Sequence, residues 1–371
     1  MAYKDKITTA AEAVKLVKSG DRVYIGTSSS FAYELLDALF DRKDELEDIT
    51  LLCAMSITPC RMFDTDWEEG NPFRFNTFFL GAGERKGHMK HGMPYDYTSF
   101  HLSQIDLWVR EIGKPDISFL QVSQPDEDGM FCYGSAGICD NKYFVEETKR
   151  AVILESNTGS PYIYGQDNLI SGDHEKVKAI IETDKNAPEL MPDEIDDVSR
   201  QIAKIVVAEV PDGATIQLGL GKMSTAIGYD LTQRNDLGIF SELFSEPMAM
   251  LMKNGNVNNS CKGFMDGKSV FSFSAGTQEM YDFMDHNPEI YGAPFPFVND
   301  ARNIAKNKRM ISINSAMAVN LFGEVIADSM GWHQQSAVGG QLDFVKGAQW
   351  SEGGKSIIAL ASTFRKNGEL R

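Results

Sequence analysis

The sequence predicts an α/β protein made of two similar open domains that are related by internal duplication. Strand-like apolar runs alternate with segments of helical periodicity along the chain. A block that reads helix, stop, strand, small-residue loop and helix occurs twice. Gly213 falls on Gly20 when the copies are aligned, an offset of 213 − 20 = 193 residues. A polar stretch with two prolines, 185–194, separates the copies, so we expect domains at 1–190 and 191–371.

The first copy reads as a helix capped by a threonine, a short strand, a turn that opens at Gly26 and a second helix. Further apolar runs follow, and loops that contain glycine or proline separate them. The predicted helices of this copy span 8–18 and 31–40, and its predicted strands span 22–25, 49–53, 75–80, 117–122 and 151–155.

The basic segment 85–91 is interpreted as a solvated loop that could approach an anionic ligand. His88 and His91 are spaced as two metal ligands could be, but no third histidine or cysteine lies near them. We therefore predict no metal site.

The second copy repeats the helix, strand, loop and helix, and only this copy has a Gly-x-Gly loop, Gly219-Leu-Gly221. Two more glycine pairs follow in the same domain, at Gly339-Gly340 and Gly353-Gly354. The predicted helices span 196–210 and 224–231, the predicted strands span 214–218, 311–317 and 356–360, and a short helix starts within 338–344.

Composition and charge exclude several classes of function. The chain has 371 residues, 42% of them hydrophobic, and a formal net charge of −17. Without a basic run, such a chain is not expected to bind nucleic acid or an anionic membrane. No apolar run is long enough to span a bilayer, and the opening residues do not read as a signal peptide. Five cysteines without a Cys-x-x-Cys pair are typical of reduced thiols, so a cytoplasmic protein is expected.

One carboxylate, Glu242, lies inside the mostly apolar stretch 237–246. Burying a charge costs several kcal/mol unless the charge is paired or used. From this stretch alone, a glutamate satisfied by an ion pair or a cap and a catalytic glutamate are both open. Phe240, Phe244 and Met248 suggest an apolar neighbourhood, which could be an acyl pocket or core.

Glycine-rich turns let a ligand approach the backbone, and a loop that opens a helix favours an anion. Three such turns in one domain, with Lys222 and Lys355 beside two of them, favour an elongated anionic ligand. Each turn alone is a weak signal. Together with Glu242 they suggest a ligand that delivers an acyl group to a carboxylate.

Five motifs then resemble the acetyl-CoA hydrolase/transferase family, and within it the 4-hydroxybutyrate and butyryl-CoA:acetate CoA-transferases. The motifs are Gln217-Leu-Gly-Leu-Gly221, Gly238-Ile-Phe-Ser-Glu242, Ile313-Asn-Ser315, Val338-Gly-Gly-Gln-Leu-Asp-Phe344 and Gly353-Gly-Lys-Ser-Ile-Ile358. The resemblance implies an active site between two α/β domains, coenzyme A (CoA) as a substrate, no permanently bound cofactor, and a homodimer.

The resemblance also implies roles for individual residues. Glu242 would carry first the acyl group and then CoA, and Asn314 and a glycine amide near Gly340 would hold the oxyanion. The residues expected to contact CoA are Gly219, Leu220, Gly221, Lys222, Met223, Gly339, Gly340 and Gln341, with Lys355 adding positive charge.

Two features depart from the family pattern. Phe240 stands where many members have histidine, and the chain stops at Arg371, where family chains normally continue. A C-terminal domain that lacks its last segment is therefore expected.

The expected reaction transfers CoA from a short-chain acyl-CoA to an acid such as acetate. Glu242 is expected to be ionised near neutral pH, so it would need no general base. Glu246 is the competing nucleophile. An acyl-CoA hydrolase that uses the same glutamate, and a non-catalytic CoA-binding subunit, remain open as alternatives.

Overall fold

The computed structural model describes residues 2–57, 60–363, 365–366 and 369–370. Two sheets, each parallel throughout, form the centres of two α/β domains. The strands of the first domain are β1 (Arg22–Thr27), β2 (Ile49–Ala54), β3 (Phe73–Thr77), β4 (Tyr95–Tyr97), β5 (Ile117–Val122), β6 (Met130–Cys132), β7 (Ala151–Asn157), β8 (Leu169–Ser171) and β9 (Val177–Thr183). Seven of them form the first sheet, in the order β4-β3-β2-β1-β5-β7-β9, and β6 pairs with β8 in a separate ribbon.

The second domain contains the remaining strands. They are β10 (Thr215–Leu218), β11 (Gly238–Phe244), β12 (Ser269–Ser274), β13 (Ile290–Gly292), β14 (Met310–Ser315), β15 (Ala318–Val319), β16 (Val325–Ile326), β17 (Ser329–Met330), β18 (His333–Gln334), β19 (Lys355–Ala359), β20 (Arg365–Lys366) and β21 (Glu369–Leu370). The second sheet has the order β13-β12-β11-β10-β14-β19. The other strands pair two by two as short ribbons.

Helices cover both sheets. The α-helices are α1 (Ala10–Ala13), α2 (Tyr33–Phe40), α3 (Arg61–Asp64), α4 (Ala82–His91), α5 (Ile105–Glu111), α6 (Gly134–Gly137), α7 (Asn141–Glu147), α8 (Asp197–Ala208), α9 (Lys222–Asp230), α10 (Glu246–Lys253), α11 (Gln278–Met284), α12 (Phe295–Val298), α13 (Ala301–Ala305) and α14 (Gln341–Trp350). Short 3-10 helices lie at Ala2–Lys6, Val14–Leu16, Ser28–Ser30, Leu102–Gln104 and Leu231–Gln233. No helix in the described ranges has both the length and the apolar character needed to cross a membrane.

The two sheets share one topology, which confirms the predicted pair of α/β domains. Within each domain, the first strand is flanked by the second on one side and the fifth on the other. β1 begins at Arg22 and β10 at Thr215, so their offset is 215 − 22 = 193 residues. The predicted boundary at residues 190 and 191 lies in an irregular segment between β9 and α8.

The basic segment 85–91 is helical, so its interpretation as a loop is wrong. It forms most of α4, which ends at Gly92 in the left-handed conformation with φ 70°. Glycine adopts that conformation readily, and cations in a last helical turn interact favourably with the helix dipole. These two effects favour a helix despite the low apolar content of the segment.

The domains pack against each other through a continuous apolar core and through backbone hydrogen bonds. Residues 164–166 of the first domain extend the second sheet beside β13, because Gly292 N donates to Tyr164 O at 2.8 Å and Gln166 N donates to Gly292 O at 2.9 Å. A Cβ atom on Gly165 would overlap the carbonyl oxygen of Gly292. The absence of a side chain at Gly165 is thus a condition for this contact.

Replacing Gly165 should loosen the contact between the domains. Gly165→Ala is expected to lower the thermal midpoint by several degrees, because overpacking typically costs about 1–3 kcal/mol. The matched control is Gln166→Ala, which removes an exposed neighbouring side chain and keeps the backbone donor. Differential scanning calorimetry of both variants measures the effect. Equal midpoints for the two variants would contradict this role of Gly165.

Candidate active site

Glu242 is the one partly exposed residue of β11, and the other six residues of this strand are buried. β11 lies inside the second sheet between β10 and β12. Glu242 is close to the carboxyl end of the strand, the edge at which open parallel sheets bind their ligands. The strand therefore presents one carboxylate to the space above the sheet.

Two hydrogen-bond donors hold this carboxylate. Asn299 Nδ2 donates to Glu242 Oε2 at 2.5 Å, and the backbone N–H of Gly340 lies near the same carboxylate and lowers its pKa. Asn299 follows α12 and is fully buried, whereas Gly340 immediately precedes α14. A Cβ atom on Gly340 would overlap both Glu242 Oε2 and Asn299 Nδ2. The Gly-Gly turn can approach the carboxylate only because it has no side chain there.

The surroundings of Glu242 raise the pKa of its carboxyl group. Burial raises the pKa of Glu242 to about 7, and the carboxylate of Asp343 also raises it, while the donors on Asn299 and Gly340 lower it. Asp343 is itself mostly buried, and burial raises its pKa to about 6. A pKa this far above that of an ordinary glutamate leaves part of Glu242 protonated at neutral pH, which differs from the expectation of full ionisation.

Glu242 faces a cleft of about 440 Å³ between the two domains. The first domain contributes Met55, Phe79 and Arg85 to its wall. The second domain contributes the ends of β10, β11, β12 and β14, Ala327, and the turn before α14. The predicted site residues in this wall, besides Glu242, are Gly219, Leu220, Asn314, Gly339, Gly340 and Gln341. The structure therefore brings Glu242, Asn314 and two of the three predicted glycine turns to one cavity, whereas Gly353-Gly354 does not line it.

A second pocket of about 240 Å³ adjoins the first and shares the wall formed by Arg85, Leu220 and Leu243. Most of its lining side chains are apolar, namely Met55, Ile57, Phe79, Leu80, Leu190, Met191, Pro192, Leu220, Leu243, Pro247 and Ala275. Phe240, Phe244 and Met248 are fully buried and line neither pocket, so they are core residues.

Asn314 is tied into a buried network of amides. Its Nδ2 donates to Gln217 Oε1 and to Ser312 Oγ, both at 3.0 Å, and its Oδ1 accepts from Gln217 Nε2 at 3.0 Å. An asparagine amide has two N–H donors, so both are in use here. Asn314 lines the cleft, and its role at the oxyanion stays a prediction.

The two lysines predicted to contact CoA, Lys222 and Lys355, form ion pairs with acidic residues outside the cleft. Lys222 starts α9 and pairs with Asp196 at 2.6 Å on an exposed surface, and Met223 packs on the core. Lys355 begins β19 opposite Ile311, at the amino end of the strands, and pairs with Glu209 at 2.9 Å. The structure thus does not bring Lys355 to the cleft, because β19 runs parallel to β14 and its carboxyl end faces the site.

Glu246, the competing nucleophile, has other partners. Its Oε1 accepts hydrogen bonds from the backbone and the hydroxyl of Thr277, at 2.7 and 2.6 Å. It lines the second pocket and not the one that contains Glu242. Through these hydrogen bonds, Glu246 connects α10 to the start of α11.

The two histidines of α4 do not converge. His88 Nδ1 lies 3.0 Å from Met93 O, and His91 Nδ1 lies 2.7 Å from Asp66 Oδ1. Across the described ranges, no group of three or more histidine, cysteine or acidic side chains is placed to hold a metal ion.

The chain matches known sequences along most of its length. Residues 1–192 match the acetyl-CoA hydrolase/transferase N-terminal domain, and residues 276–370 match the C-terminal domain of the same family. The chain belongs to the acetyl-CoA hydrolase/transferase family. The predicted resemblance is confirmed, and so is the prediction of an enzyme of the CoA-transferase kind.

Several relatives are similar over nearly the whole chain. Butyryl-CoA:acetate CoA-transferase of Anaerostipes caccae is 34% identical over 99% of this chain and 82% of its own length. The 4-hydroxybutyrate coenzyme A transferase of Clostridium kluyveri is 33% identical over 98% of this chain and 83% of its own. The crystal structure of RipA from Yersinia pestis has a TM-score of 0.90 at 32% identity, over 98% of this chain and 83% of that chain.

Asn299 and Arg85 are site residues that the sequence reading missed. Asn299 is 57 residues from Glu242 and follows a short apolar run, Phe295-Pro-Phe-Val298. A polar residue directly after such a run is a weak signal that could have pointed to it. Arg85 stands out in the sequence only as part of the basic segment 85–91.

Removing the Asn299 donor should raise the pKa of Glu242. A hydrogen bond to a charged group is worth about 1.5–3 kcal/mol, which is about one to two pKa units. The donor stabilises the carboxylate, so Asn299→Ala should move the midpoint from about 7 to roughly 8–9. Carbon-13 NMR titration of labelled glutamate carboxyls measures this pKa. The Glu242 signal is assigned as the one that is absent from the spectrum of Glu242→Gln.

The control for this titration is Asn303→Ala. Asn303 donates to Phe297 O at 3.0 Å and is not among the donors to Glu242. The pKa of Glu242 in the Asn303→Ala variant should equal its pKa in the unmodified protein. A midpoint near 7 in Asn299→Ala would show that Asn299 does not stabilise the charged form.

Proposed function

We propose that this protein is a CoA-transferase that moves CoA from a short-chain acyl-CoA to a carboxylic acid such as acetate. The observation that carries the proposal is Glu242, one carboxylate presented by a buried strand to the interdomain cleft and held there by Asn299 and Gly340. The relatives named as butyryl-CoA:acetate and 4-hydroxybutyrate CoA-transferases support this substrate class.

In the proposed first half-reaction, ionised Glu242 attacks the thioester carbonyl of the acyl-CoA. The carbon–sulfur bond breaks, which gives a mixed anhydride and CoA thiolate. The thiolate then attacks the glutamyl carbonyl, the acid leaves as a carboxylate, and a glutamyl-CoA thioester remains. A second acid runs these steps in reverse. No proton has to be transferred, which agrees with a site built around a carboxylate and amide donors.

The raised pKa of Glu242 suits this role. A carboxylate of higher pKa is a better nucleophile, but the fraction that is ionised falls as the pKa rises above the ambient pH. A pKa of about 7 balances these effects near neutral pH. Because the charged form reacts, the transfer rate should increase as the pH rises through 7.

The donors near Glu242 also support oxyanion stabilisation. The backbone N–H of Gly340 stabilises the charged carboxylate, and it would stabilise the negative charge of a tetrahedral intermediate in the same way. Asn314 would take part by turning one N–H away from Gln217 or Ser312.

The segments 219–223 and 339–341 are proposed to contact CoA as it enters the cleft. Both lie at or before the start of a helix, α9 or α14, where free backbone N–H groups favour anionic groups. Lys355 is not proposed to contact CoA, because it is at the opposite edge of the sheet.

The apolar second pocket supports a short aliphatic acyl group. A homodimer and a cytoplasmic location remain predictions.

Glu242→Ala and Glu242→Gln should lose CoA transfer by about 10³-fold or more, because the covalent carrier is gone. In the unmodified protein, butyryl-CoA followed by borohydride should convert Glu242 to an alcohol that peptide mass spectrometry detects. Glu246→Gln should still form this adduct, since Glu246 is bonded to Thr277.

A product assay with butyryl-CoA, together with the borohydride experiment, separates the alternatives. Steady release of free CoA without any added acid would support an acyl-CoA hydrolase, whereas acetate-dependent formation of acetyl-CoA without release of free CoA would support the transferase. An unmodified Glu242 after treatment with butyryl-CoA would contradict both enzymes and support a CoA-binding subunit.

A further inference from the structure

The cleft and its neighbouring pocket have an uneven charge. Three carboxylates line them, Glu242 in the cleft and Asp193 and Glu246 in the second pocket. Arg85 is the one cationic side chain that lines either cavity within the described ranges, and it lines both. An acid substrate must enter this acidic space of a chain with a net charge of −17. A carboxylate there requires a local cation.

Arg85 is held in a fixed orientation by one of its nitrogens. Its Nη1 donates to Leu80 O at 2.7 Å and to Gln335 O at 2.6 Å. A guanidinium has five N–H donors, and these two bonds use both hydrogens of Nη1. The edge formed by Nε and Nη2 makes no hydrogen bond or ion pair among the contacts of the described residues. That edge is a two-pronged donor with the geometry of a carboxylate.

The acidic sequence neighbour of Arg85, Glu84, makes no ion pair with it. Glu84 is fully buried, and both of its oxygens accept from the backbone N–H of Ser56 at 3.0 and 3.1 Å. Burial raises the pKa of Glu84 to about 7. Arg85 therefore lines both cavities with a charged side chain whose direct hydrogen-bond partners, among the described residues, are two carbonyl oxygens.

We propose that Arg85 binds the carboxylate of the free acid substrate while CoA is bound to Glu242. This inference rests on the proposed CoA-transferase function. One carboxylate oxygen of the held acid attacks the glutamyl-CoA carbonyl, a carbon–oxygen bond forms, the carbon–sulfur bond breaks, and CoA leaves as the thiolate. Arg85 thereby selects short carboxylic acids over neutral acceptors, and the apolar second pocket holds the aliphatic part of the acid.

The test compares a charged and a neutral acceptor on the same intermediate. Arg85→Gln is loaded with butyryl-CoA, and the glutamyl-CoA thioester is then discharged with acetate or with hydroxylamine. We expect the acetate reaction to need at least about tenfold more acetate, since a hydrogen bond to a charged group is worth about 1.5–3 kcal/mol. The hydroxylamine reaction should change by less than about threefold. Arg85→Lys should recover part of the acetate reaction, because it restores the charge but not the two-pronged geometry.

The neutral acceptor also detects a merely structural role. Arg85 bonds to Gln335 O in the segment that leads to Gly339-Gly340, so a displaced turn would slow acetate and hydroxylamine alike. That result, or an acetate dependence unchanged in Arg85→Gln, would overturn the proposal. Arg110→Gln, in an exposed pair with Glu111, is the matched control and should behave like the unmodified protein. If no thioester forms in the unmodified protein, the proposed function itself has failed.

Discussion

The site depends on one contact, the hydrogen bond between the Asn299 amide and the partly exposed carboxylate of Glu242. Three separate elements must meet to make it, β11 with the glutamate, the end of α12 with the amide, and the turn before α14. Gly340 lets the third element close on the other two, because no other residue leaves room for the carboxylate. Without these donors, burial beside Asp343 would keep Glu242 protonated and unreactive at neutral pH.

The duplicated domains use the same topology for different purposes. In the second domain, the loop after β10 faces the cleft. In the first domain, the corresponding loop after β1 is the buried 3-10 helix Ser28–Ser30, and Ser29 Oγ donates to Ser274 O of the second domain at 2.8 Å. One copy of the loop thus joins the domains, and the other is open to a ligand. The first domain contributes to the site through α4 and Arg85, on the opposite wall.

The periodicity of the sequence predicted the fold well, because each copy alternates buried strands with amphipathic helices. The strand at 117–122 has the predicted bounds. Motif spacing predicted that Glu242 and three glycine turns lie at one site, and Glu242 and two of these turns line the cleft. It could not place Asn299, whose contact with Glu242 depends on how β11 and α12 pack in three dimensions. It misplaced Lys355, because adjacency to a glycine pair does not tell which end of a strand faces the ligand.

The most direct test of Glu242 as the covalent carrier follows an oxygen atom. Acetate labelled with ¹⁸O is supplied with butyryl-CoA in unlabelled water. After many turnovers, mass spectrometry measures the mass of the peptide that contains Glu242. If acetate attacks a glutamyl-CoA thioester, its oxygen bridges the anhydride and stays on Glu242 when acetyl-CoA leaves, so this peptide should become heavier. An unlabelled Glu242 peptide, with acetyl-CoA formed at the same time, would contradict the covalent role of Glu242.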